Sequence, residues 1–307
     1  MKTILLTGAD GFIGTRLANE LSAVPATRLL RLLRTTRTSV ARDTFYCGLE
    51  ELTASFWEEN GVESIDTIFH VAGFAPKNRA EASCVPRIVG SNIRGLAALL
   101  ESLPSAPQHL IFTSSIDVYH RSADAIDEQS RVSPETLFGA SKVFGEQLVR
   151  DFAAASGSRY SIARLGHIFG PGEERYQKLI PNLIWTMLRG QVPVLRGTGS
   201  TTRDFLYVDD AANALVLLME QAESVDPINV VRGEATTILQ IAQCLAEIIG
   251  YRGAFQFEGS DELPLHFNAG KMHALVDITS FTSLRKGLKR EVEYFKALRA
   301  TAQSTYE

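Results

Sequence analysis

The stretch Thr7-Gly8-Ala9-Asp10-Gly11-Phe12-Ile13-Gly14 stands directly behind the apolar run Ile4-Leu5-Leu6, near the start of the chain. The apolar run has the length of a buried strand, and Leu17, Ala18 and Leu21 continue one apolar helix face behind the glycines. A strand that turns into a helix through glycines brings the N–H groups of the helix N-terminus close to a phosphate, where the helix dipole favours negative charge. Because this turn follows the first strand, the stretch predicts a dinucleotide-binding fold.

The composition and charge of the chain exclude several classes of protein. It has 307 residues, 45% of them apolar, which suffices for a large α/β unit with a smaller companion, and we expect disorder only near the C-terminus. The net charge of −4 argues against a nucleic-acid-binding surface. The three cysteines are far apart, Met1-Lys2 leads straight into the first strand without a signal peptide, and no apolar run approaches the roughly 18 residues of a membrane helix. We therefore expect a cytoplasmic protein that has no membrane contact.

Alternating strand and helix patterns fill the first half of the chain. Short apolar runs, from Ile4–Leu6 to Tyr160–Leu165, alternate with helical patterns such as those near residues 15–22 and 136–155. This alternation predicts right-handed βαβ units and an α/β fold with a doubly wound parallel sheet of Rossmann type. After Gly170-Pro171-Gly172 the rhythm changes, which marks the start of a second lobe.

The change of rhythm divides the chain into two predicted domains. We predict a dinucleotide-binding Rossmann domain over residues 1–165 plus about 205–222, because the strand-like segment Phe205–Val208 and the helix after it look like a return to the first layer. Residues 166–204 and 223–307 make up the predicted smaller lobe, which is interleaved with the first domain along the chain.

Candidate catalytic side chains follow a predicted strand and open a predicted helix. Ser114 and Ser115 end the apolar run Leu110–Thr113, and in open parallel sheets ligands bind beyond the carboxyl ends of the strands. Further along the chain, Phe138 and Lys142 begin a helix and are four residues apart, so their side chains share one helix face. The spacing predicts that the aromatic ring and the amine point into the same space.

The chain resembles the extended short-chain dehydrogenases/reductases of the nucleotide-sugar epimerase/dehydratase group. The motifs that carry the resemblance appear in the family's order and cover most of the chain: Thr7–Gly14, Asp66–Gly73, Asn92 within Ser91–Gly95, Ser114–Ser115 with Val118–Tyr119, Phe138–Lys142, Arg164–Gly172, Gly197–Gly199 and Arg203–Asp210. The resemblance implies an NAD(P)-dependent enzyme that acts on a nucleoside-diphosphate sugar at hexose C4, as a 4-epimerase or a 4-ketoreductase. It also implies that the smaller lobe binds the nucleotide sugar.

One position of the family's catalytic trio differs in this chain. In the family a serine positions the substrate oxygen, a tyrosine exchanges a proton with it, and a lysine binds the nicotinamide ribose and lowers the pKa of the tyrosine. By resemblance Ser115 and Lys142 fill the serine and lysine positions, whereas Phe138 occupies the tyrosine position. Phenylalanine keeps the ring but has no transferable proton, and a positioned acid–base group is typically worth about 10²–10⁴ in rate.

Three explanations of Phe138 stay open at this point. The phenylalanine is an engineered replacement that traps a bound substrate, a natural variant that uses another acid or base, or the mark of a non-catalytic NAD(P)-binding sensor or scaffold. For the second explanation, Asp117 lies where the family's dehydratases and decarboxylases carry a catalytic glutamate, although Ile116 replaces the acidic residue that precedes it in the dehydratases. Tyr119 is a further candidate for a substitute proton donor.

The resemblance also implies which residues contact the cofactor. They are Gly8, Gly11, Phe12, Ile13, Gly14, Arg34, Leu49, Ala72, Gly73 and Lys142. Proteins that bind NAD usually have an acidic residue at the end of the second strand, which accepts hydrogen bonds from the ribose hydroxyls. Here the strand ends at Arg34, with Arg37 close behind and no acid, and arginines there can hold a 2′-phosphate. We therefore predict NADP in preference to NAD.

On the substrate side the resemblance implies four residues: Ser115, His167, Asn182 and Arg203. The guanidinium of Arg203 suits the diphosphate, because its planar fork matches phosphate oxygens. His167 stands where the family carries an asparagine, and we expect its charge to vary near neutral pH. Asn182 lies on the predicted helix that follows Gly172 and is expected to face the nucleotide.

The remaining expectations concern assembly and metals. Relatives form homodimers through two helices per subunit, which correspond to residues 91–103 and 136–155 here, and the second helix carries an apolar stripe of Phe144, Leu148 and Phe152. The six histidines lack paired ligand spacing, and no pair of cysteines lies near them, so we predict no metal site.

Overall fold

The computed structural model describes residues 1–34 and 43–304 of the chain. The strands are β1 (Lys2–Thr7), β2 (Thr27–Leu33), β3 (Thr44–Tyr46), β4 (Thr67–His70), β5 (His109–Ser115), β6 (Arg159–Leu165), β7 (His167–Phe169), β8 (Val194–Arg196), β9 (Thr202–Tyr207), β10 (Val225–Val230), β11 (Ala235–Thr237) and β12 (Gln256–Glu258). The α-helices are α1 (Phe12–Ser22), α2 (Ala54–Glu59), α3 (Val85–Val89), α4 (Gly95–Ser102), α5 (Leu137–Ser156), α6 (Leu179–Leu188), α7 (Val208–Met219), α8 (Ile238–Ile249), α9 (Gly270–Leu275) and α10 (Leu284–Ser304), and a π-helical turn, Gly90–Arg94, joins α3 to α4.

A seven-stranded parallel sheet forms the centre of the first part of the chain. Its strand order is β10-β6-β5-β4-β1-β2-β3, and each neighbouring pair is parallel. All seven residues of β5 and all four of β4 are buried, as expected for strands that are covered on both faces. The predicted α/β fold with a doubly wound parallel sheet is therefore confirmed.

The described chain divides into two compact units. The first unit comprises residues 1–120, 130–165 and 211–230 and contains the seven-stranded sheet. The second unit comprises residues 121–129 and 166–210 and the chain from residue 231 onward. It contains a three-stranded sheet in the order β11-β9-β7 and a two-stranded sheet of β12 and β8.

The expected return of segment 205–208 to the first layer is wrong. Residues 205–207 of this segment belong to β9, which pairs with β7 and β11 in the three-stranded sheet of the second unit, and Val208 begins α7. The strand that completes the large sheet is β10, whose last three residues are buried against β6. The sequence does not indicate where β10 begins, because Asp226-Pro227 interrupts its apolar pattern. The register with β6 shifts at the same two residues.

A long helix ends the described part of the C-terminal region. Helix α10 continues to Ser304. Leu288, Val292 and Phe295 recur at helical spacing and are buried, and the ring of Phe295 meets Trp185 of α6 edge-on at 5.0 Å between centroids. A narrow apolar stripe thus suffices to hold a highly charged helix. Within residues 1–34 and 43–304, no helix combines the length and apolar character needed to cross a membrane.

Candidate active site

The glycine-rich turn between β1 and α1 is fixed by two contacts that exclude a side chain. Gly8 has a φ of +72°, and a Cβ atom on it would lie 2.9 Å from the backbone nitrogen of Ala72. A Cβ atom on Gly14 would lie only 1.9 Å from the carbonyl oxygen of Gly8. Gly11 is the N-cap residue of α1 and donates its N–H to that same oxygen at 3.0 Å. The turn therefore presents bare backbone at a helix N-terminus, which fits the pyrophosphate of a dinucleotide.

The end of β4 is tied to the end of β1 beside this turn. The hydroxyl of Thr7 accepts a hydrogen bond from the Ala72 N–H at 3.2 Å and lies 3.1 Å from Nδ1 of His70. The imidazole of His70 is stacked on Phe112 with ring centroids 5.8 Å apart. Burial, followed by the charge of Lys142, lowers the pKa of His70 to about 3, so this ring is neutral at physiological pH. His70 thus acts as a packed, neutral support for the site.

The π-helical turn contributes the buried amide of Asn92, which holds the segment of chain that follows β4. The side chain of Asn92 accepts from the Phe74 N–H at 2.6 Å and donates to the Phe74 carbonyl at 3.1 Å. It also donates to the Ser141 hydroxyl at 2.9 Å, and so connects this segment to α5. A Cβ atom on Gly73 would lie 3.1 Å from the Asn92 side-chain oxygen and 3.4 Å from the amine of Lys142. Gly73 therefore has no side chain to crowd the amine of the lysine.

Lys142 is buried on the inner face of α5. Its Nζ atom donates to the Thr113 carbonyl at 2.9 Å and lies 5.1 Å and 5.7 Å from the ring centroids of Phe112 and Phe138. The prediction that Phe138 and Lys142 share one helix face is therefore confirmed. Burial lowers the pKa of Lys142 to about 8, against the opposing influence of the Glu146 carboxylate. The amine is therefore close to its titration point at neutral to mildly basic pH.

Local capping places Phe138, Ser115 and Asp117. Thr136 caps α5 by accepting from the Gly139 N–H at 3.0 Å, and Gly139 allows α5 to approach the carbonyl of Asp117, which a Cβ atom would meet at 2.2 Å. The buried Ser115 hydroxyl accepts from the Asp117 N–H at 3.1 Å, and the Asp117 side chain is exposed. The serine, the aspartate and the start of α5 are thus adjacent in the first unit.

Tyr119 does not fit the role of a substitute proton donor. Its side chain is buried, and its hydroxyl donates to the side-chain oxygen of Asn229 in β10 at 2.7 Å. The guanidinium of Arg164 lies 4.7 Å from the centre of its ring. The hydroxyl proton of Tyr119 is therefore engaged in a buried bond within the sheet, and the second route that the sequence left open rests on Asp117 alone.

His167 lies in β7 of the second unit. Its ring is tilted against Phe205 at 5.6 Å between centroids, and its Nδ1 atom is buried without a hydrogen-bond partner among the described residues. Burial, followed by the charges of Arg203 and Lys178, lowers the pKa of His167 to about 3. The expectation that its charge varies near neutral pH is therefore wrong, because the ring stays neutral. A neutral ring with one unsatisfied nitrogen is suited to a hydrogen bond with a polar ligand.

Arg203 is buried in β9 of the second unit. Its Nη1 atom donates to the carbonyls of Thr202 and Leu263, at 2.9 Å and 3.2 Å, and its Nη2 atom donates to Glu262 at 2.6 Å. Burial lowers the pKa of Arg203, and Glu262 opposes this effect. The guanidinium is thus held in place by protein groups before any ligand binds.

Asn182, the remaining residue predicted for the substrate side, lies on α6, and its side chain is exposed.

Three predicted cofactor residues lie at the ends of the first two βα units. Phe12 and Ile13 are half-buried in the first turn of α1, and Arg34 is exposed directly after β2. Arg37 lies outside the described residues. Leu49 follows β3 in a short 3₁₀ turn and packs on Gly95, where an added Cβ atom would lie 3.0 Å from the Cβ atom of Leu49.

No group of three or more His, Cys, Asp or Glu side chains in the described ranges is arranged to hold a metal ion.

Comparison with known proteins identifies the family. Residues 4–231 match the family model described as the NAD dependent epimerase/dehydratase family. Because the match covers most of the chain, this protein belongs to that family, and the resemblance drawn from the motifs is confirmed. The family description also confirms the prediction that the cofactor is a nicotinamide dinucleotide, without deciding between NAD and NADP.

Individual relatives are similar over almost the whole chain. A UDP-glucose epimerase of Bacillus subtilis (strain 168), itself uncharacterized, is 25% identical over 313 residues, with 96% of this chain and 98% of the relative covered. A UDP-N-acetyl-alpha-D-glucosaminuronate decarboxylase of Bacillus cytotoxicus is 25% identical over 334 residues, with 97% and 98% covered. The crystal structure of a UDP-glucose 4-epimerase from Thermotoga maritima, with UDP-glucose, matches with a TM-score of 0.83 at 25% identity and covers 96% of this chain and 99% of that chain. The relatives thus include both epimerases and decarboxylases.

Two buried residues of the first unit were not identified as site residues from the sequence. Glu146 lies one turn after Lys142 on α5, and its carboxylate binds the guanidinium of Arg164 at 2.7 Å and 2.8 Å. The available signal was the spacing of four residues from Lys142, which places the carboxylate on the lysine's face of the helix.

Proposed function

We propose that this protein is an NAD(P)-dependent nucleotide-sugar-modifying enzyme that acts at hexose C4, as a 4-epimerase or a 4-ketoreductase. The observation that carries the proposal is the arrangement of Lys142, whose amine lies 5.7 Å from the ring centre of Phe138 and directly beside Gly73, which has no side chain to crowd it. The bare-backbone turn at Gly8 and Gly14 supplies the matching pyrophosphate site in the same unit.

The residues of this site divide the work of a carbonyl–alcohol interconversion. A nicotinamide dinucleotide held at this site would supply the hydride acceptor or donor. Ser115 holds the C4 oxygen of the sugar by a hydrogen bond from its hydroxyl, and Lys142 holds the ribose hydroxyls of the cofactor. Phe138 packs as the aromatic wall and has no transferable proton, so the C4 oxygen would have to exchange its proton with water, and this exchange would be slow.

The cofactor we propose is NADP in preference to NAD. Arg34 is exposed at the end of β2, the position where an acidic side chain would bind the ribose hydroxyls of NAD. A guanidinium there favours the 2′-phosphate of NADP, because it adds a charge-assisted hydrogen bond.

The substrate we propose is a nucleoside-diphosphate sugar. Arg203 is the residue for the diphosphate, since Glu262 and two carbonyls already fix its guanidinium and less conformational entropy is lost on binding. His167, with its unsatisfied Nδ1 atom, and Asn182 are the further polar groups of this subsite.

We also propose a homodimer, supported by the half-exposed ring of Phe144 on α5.

A second candidate function is a nucleotide-sugar dehydratase or decarboxylase that uses Asp117. The exposed carboxylate of Asp117 directly follows the Ser115 hydroxyl, which accepts its N–H, and a relative of similar length is a decarboxylase. In this candidate Asp117 supplies the acid–base group that Phe138 lacks.

Binding measurements separate these functions from a non-catalytic role. We expect NADPH to bind at least as tightly as NADH in a fluorescence titration, and a UDP-, dTDP- or GDP-sugar to bind in calorimetry when NADP is present. Tenfold tighter binding of NADH would contradict the choice of cofactor. If no sugar of the panel binds, the nucleotide-sugar proposal is wrong. If a sugar binds but is neither reduced, epimerised, dehydrated nor decarboxylated by the wild type, Phe138→Tyr and Asp117→Asn variants, the sensor or scaffold is the better description.

A further inference from the structure

A buried ionic cluster lies behind the candidate catalytic residues of the first unit. The Glu146 carboxylate accepts from the Ser114 hydroxyl at 2.6 Å and from the Arg164 guanidinium at 2.8 Å and 2.7 Å. All three side chains are buried. A buried carboxylate with this many donors is compensated for its loss of hydration, and it fixes every group that it touches.

The cluster connects the elements that carry the candidate site. Ser114 and Arg164 are partners in the β5–β6 register, at the carboxyl ends of the two strands. Glu146 reaches both of them from α5, one helical turn beyond Lys142. Its bond to Ser114 therefore sets the position of α5 along β5, and with it the position of Lys142 relative to Ser115.

The cluster continues outward through Arg150. Its Nη2 atom lies 3.3 Å from the Glu146 carboxylate, and its guanidinium binds Asp226 through two bonds of 2.7 Å. The charge of Arg150 is thus balanced mainly by Asp226. The charge of Glu146 is balanced mainly by Arg164, which lies closer to it than Arg150 does.

We propose that Glu146 is a positioning residue of the candidate active site, which keeps Lys142 aligned with Ser115 and places a negative charge on the face of α5 that carries its amine. This inference rests on the proposed function. It assigns to Glu146 a role that acts through Lys142, not through contact with cofactor or substrate.

The charged and titratable groups around Lys142 support an electrostatic role for Glu146. On β4, His70 is neutral because its pKa is lowered to about 3. On β5 the amine meets the Thr113 carbonyl and the Phe112 ring, which carry no net charge. On α5 the Glu146 carboxylate raises the pKa of Lys142 against the dominant effect of burial, and the same carboxylate is paired with Arg164 on β6. Loss of the carboxylate thus removes an influence that favours the charged amine and leaves the buried charge of Arg164 uncompensated, and both changes favour the neutral form of Lys142.

The test is the pH dependence of NADPH affinity, with NADH in parallel, measured by nucleotide fluorescence between pH 7 and pH 10. We expect wild-type affinity to fall as the pH rises through about 8, where Lys142 loses its proton. Glu146→Gln should move this midpoint down by about one pH unit and weaken binding at pH 8 several-fold. Asp151→Asn is the matched control, because it removes an exposed carboxylate further along α5 and should leave the midpoint unchanged.

A second variant separates alignment from charge. Ser114→Ala removes the 2.6 Å bond but keeps the carboxylate, so it should weaken NADPH binding without moving the pH midpoint, and it serves where Glu146→Gln does not fold. The inference is overturned if Glu146→Gln keeps the wild-type midpoint, or if Ser114→Ala binds NADPH as the wild type does at every pH. If the wild type binds neither NADPH nor NADH, the proposed function itself is wrong, and the inference falls with it.

Discussion

Replacing Gly14 by alanine tests the geometry of the glycine-rich turn. A Cβ atom at this position would lie 1.9 Å from the Gly8 carbonyl oxygen and 2.8 Å from its carbonyl carbon. A carbon and an oxygen atom need more than about 3 Å, so relief requires the turn and α1 to move apart by about 1 Å in a close-packed region. We expect a loss of about 3 kcal/mol of folding free energy, at the upper end for overpacking, and a fall in Tm of about 6 °C.

Gly11→Ala is the matched control in the same turn. Its Cβ atom would meet only the Gly8 oxygen, at 3.1 Å, and its φ of −77° suits any residue. We expect its Tm to stay within about 2 °C of the wild type, while NADPH affinity falls about tenfold because the methyl group occupies space needed by the pyrophosphate. Thermal unfolding followed by circular dichroism and NADPH fluorescence provide the two readouts. Equal Tm values for the two variants would refute the steric reasoning, and wild-type affinity in Gly11→Ala would refute the assignment of the phosphate site.

Three further predictions concern a buried carboxyl pair, the diphosphate residue and the surface of α5. Burial and the neighbouring charge of Glu173 raise the pKa of Glu291, so the folded state keeps a proton that the unfolded chain loses near about pH 4.3. This contribution to stability is complete below that pH and is lost as the pH rises through the folded-state pKa of Glu291. The denaturation midpoint of the wild type should therefore decline from pH 5 to pH 9, and Glu291→Gln should flatten this decline. Parallel curves of midpoint against pH for the two proteins would contradict the prediction. Arg203→Ala should weaken binding of a UDP-sugar by about 2 kcal/mol in calorimetry, and unchanged affinity would remove Arg203 from the diphosphate site. Phe144→Glu should convert a homodimer into a monomer in light scattering, because the ring is 51% exposed on α5, whereas a monomeric wild type would contradict the proposed assembly.

The elements predicted correctly from the sequence are those whose signal is local. The positive φ of Gly8 and the contact of Gly14 with the Gly8 carbonyl oxygen both lie within one turn, so the glycine spacing alone predicts this part of the structure. Phe138 and Lys142 share a helix face because of their spacing of four residues. By contrast, β10 was missed because Pro227 interrupts it and because its partner β6 is distant in sequence.

The features that the sequence did not predict depend on burial by distant parts of the chain. A glutamate on a helix reads as a solvated side chain, and only the pairing of Glu146 with Arg164 shows that it is buried. The neutral state of His167 follows from its enclosure in the second unit, to which no local pattern points. The same holds for α10, whose narrow apolar stripe at Leu288, Val292 and Phe295 is hidden in a charged sequence.

The most direct test of the central claim is the turnover of a Phe138→Tyr variant on a nucleotide sugar that the wild type binds. If the site is a carbonyl–alcohol site that lacks only its proton donor, the added hydroxyl beside Lys142 should raise turnover by about 10²–10⁴ and leave NADPH affinity nearly unchanged. Turnover that changes little in Phe138→Tyr but disappears in Asp117→Asn would assign the chemistry to the aspartate instead. A Phe138→Tyr variant that stays inert on every nucleotide sugar it binds would contradict the account.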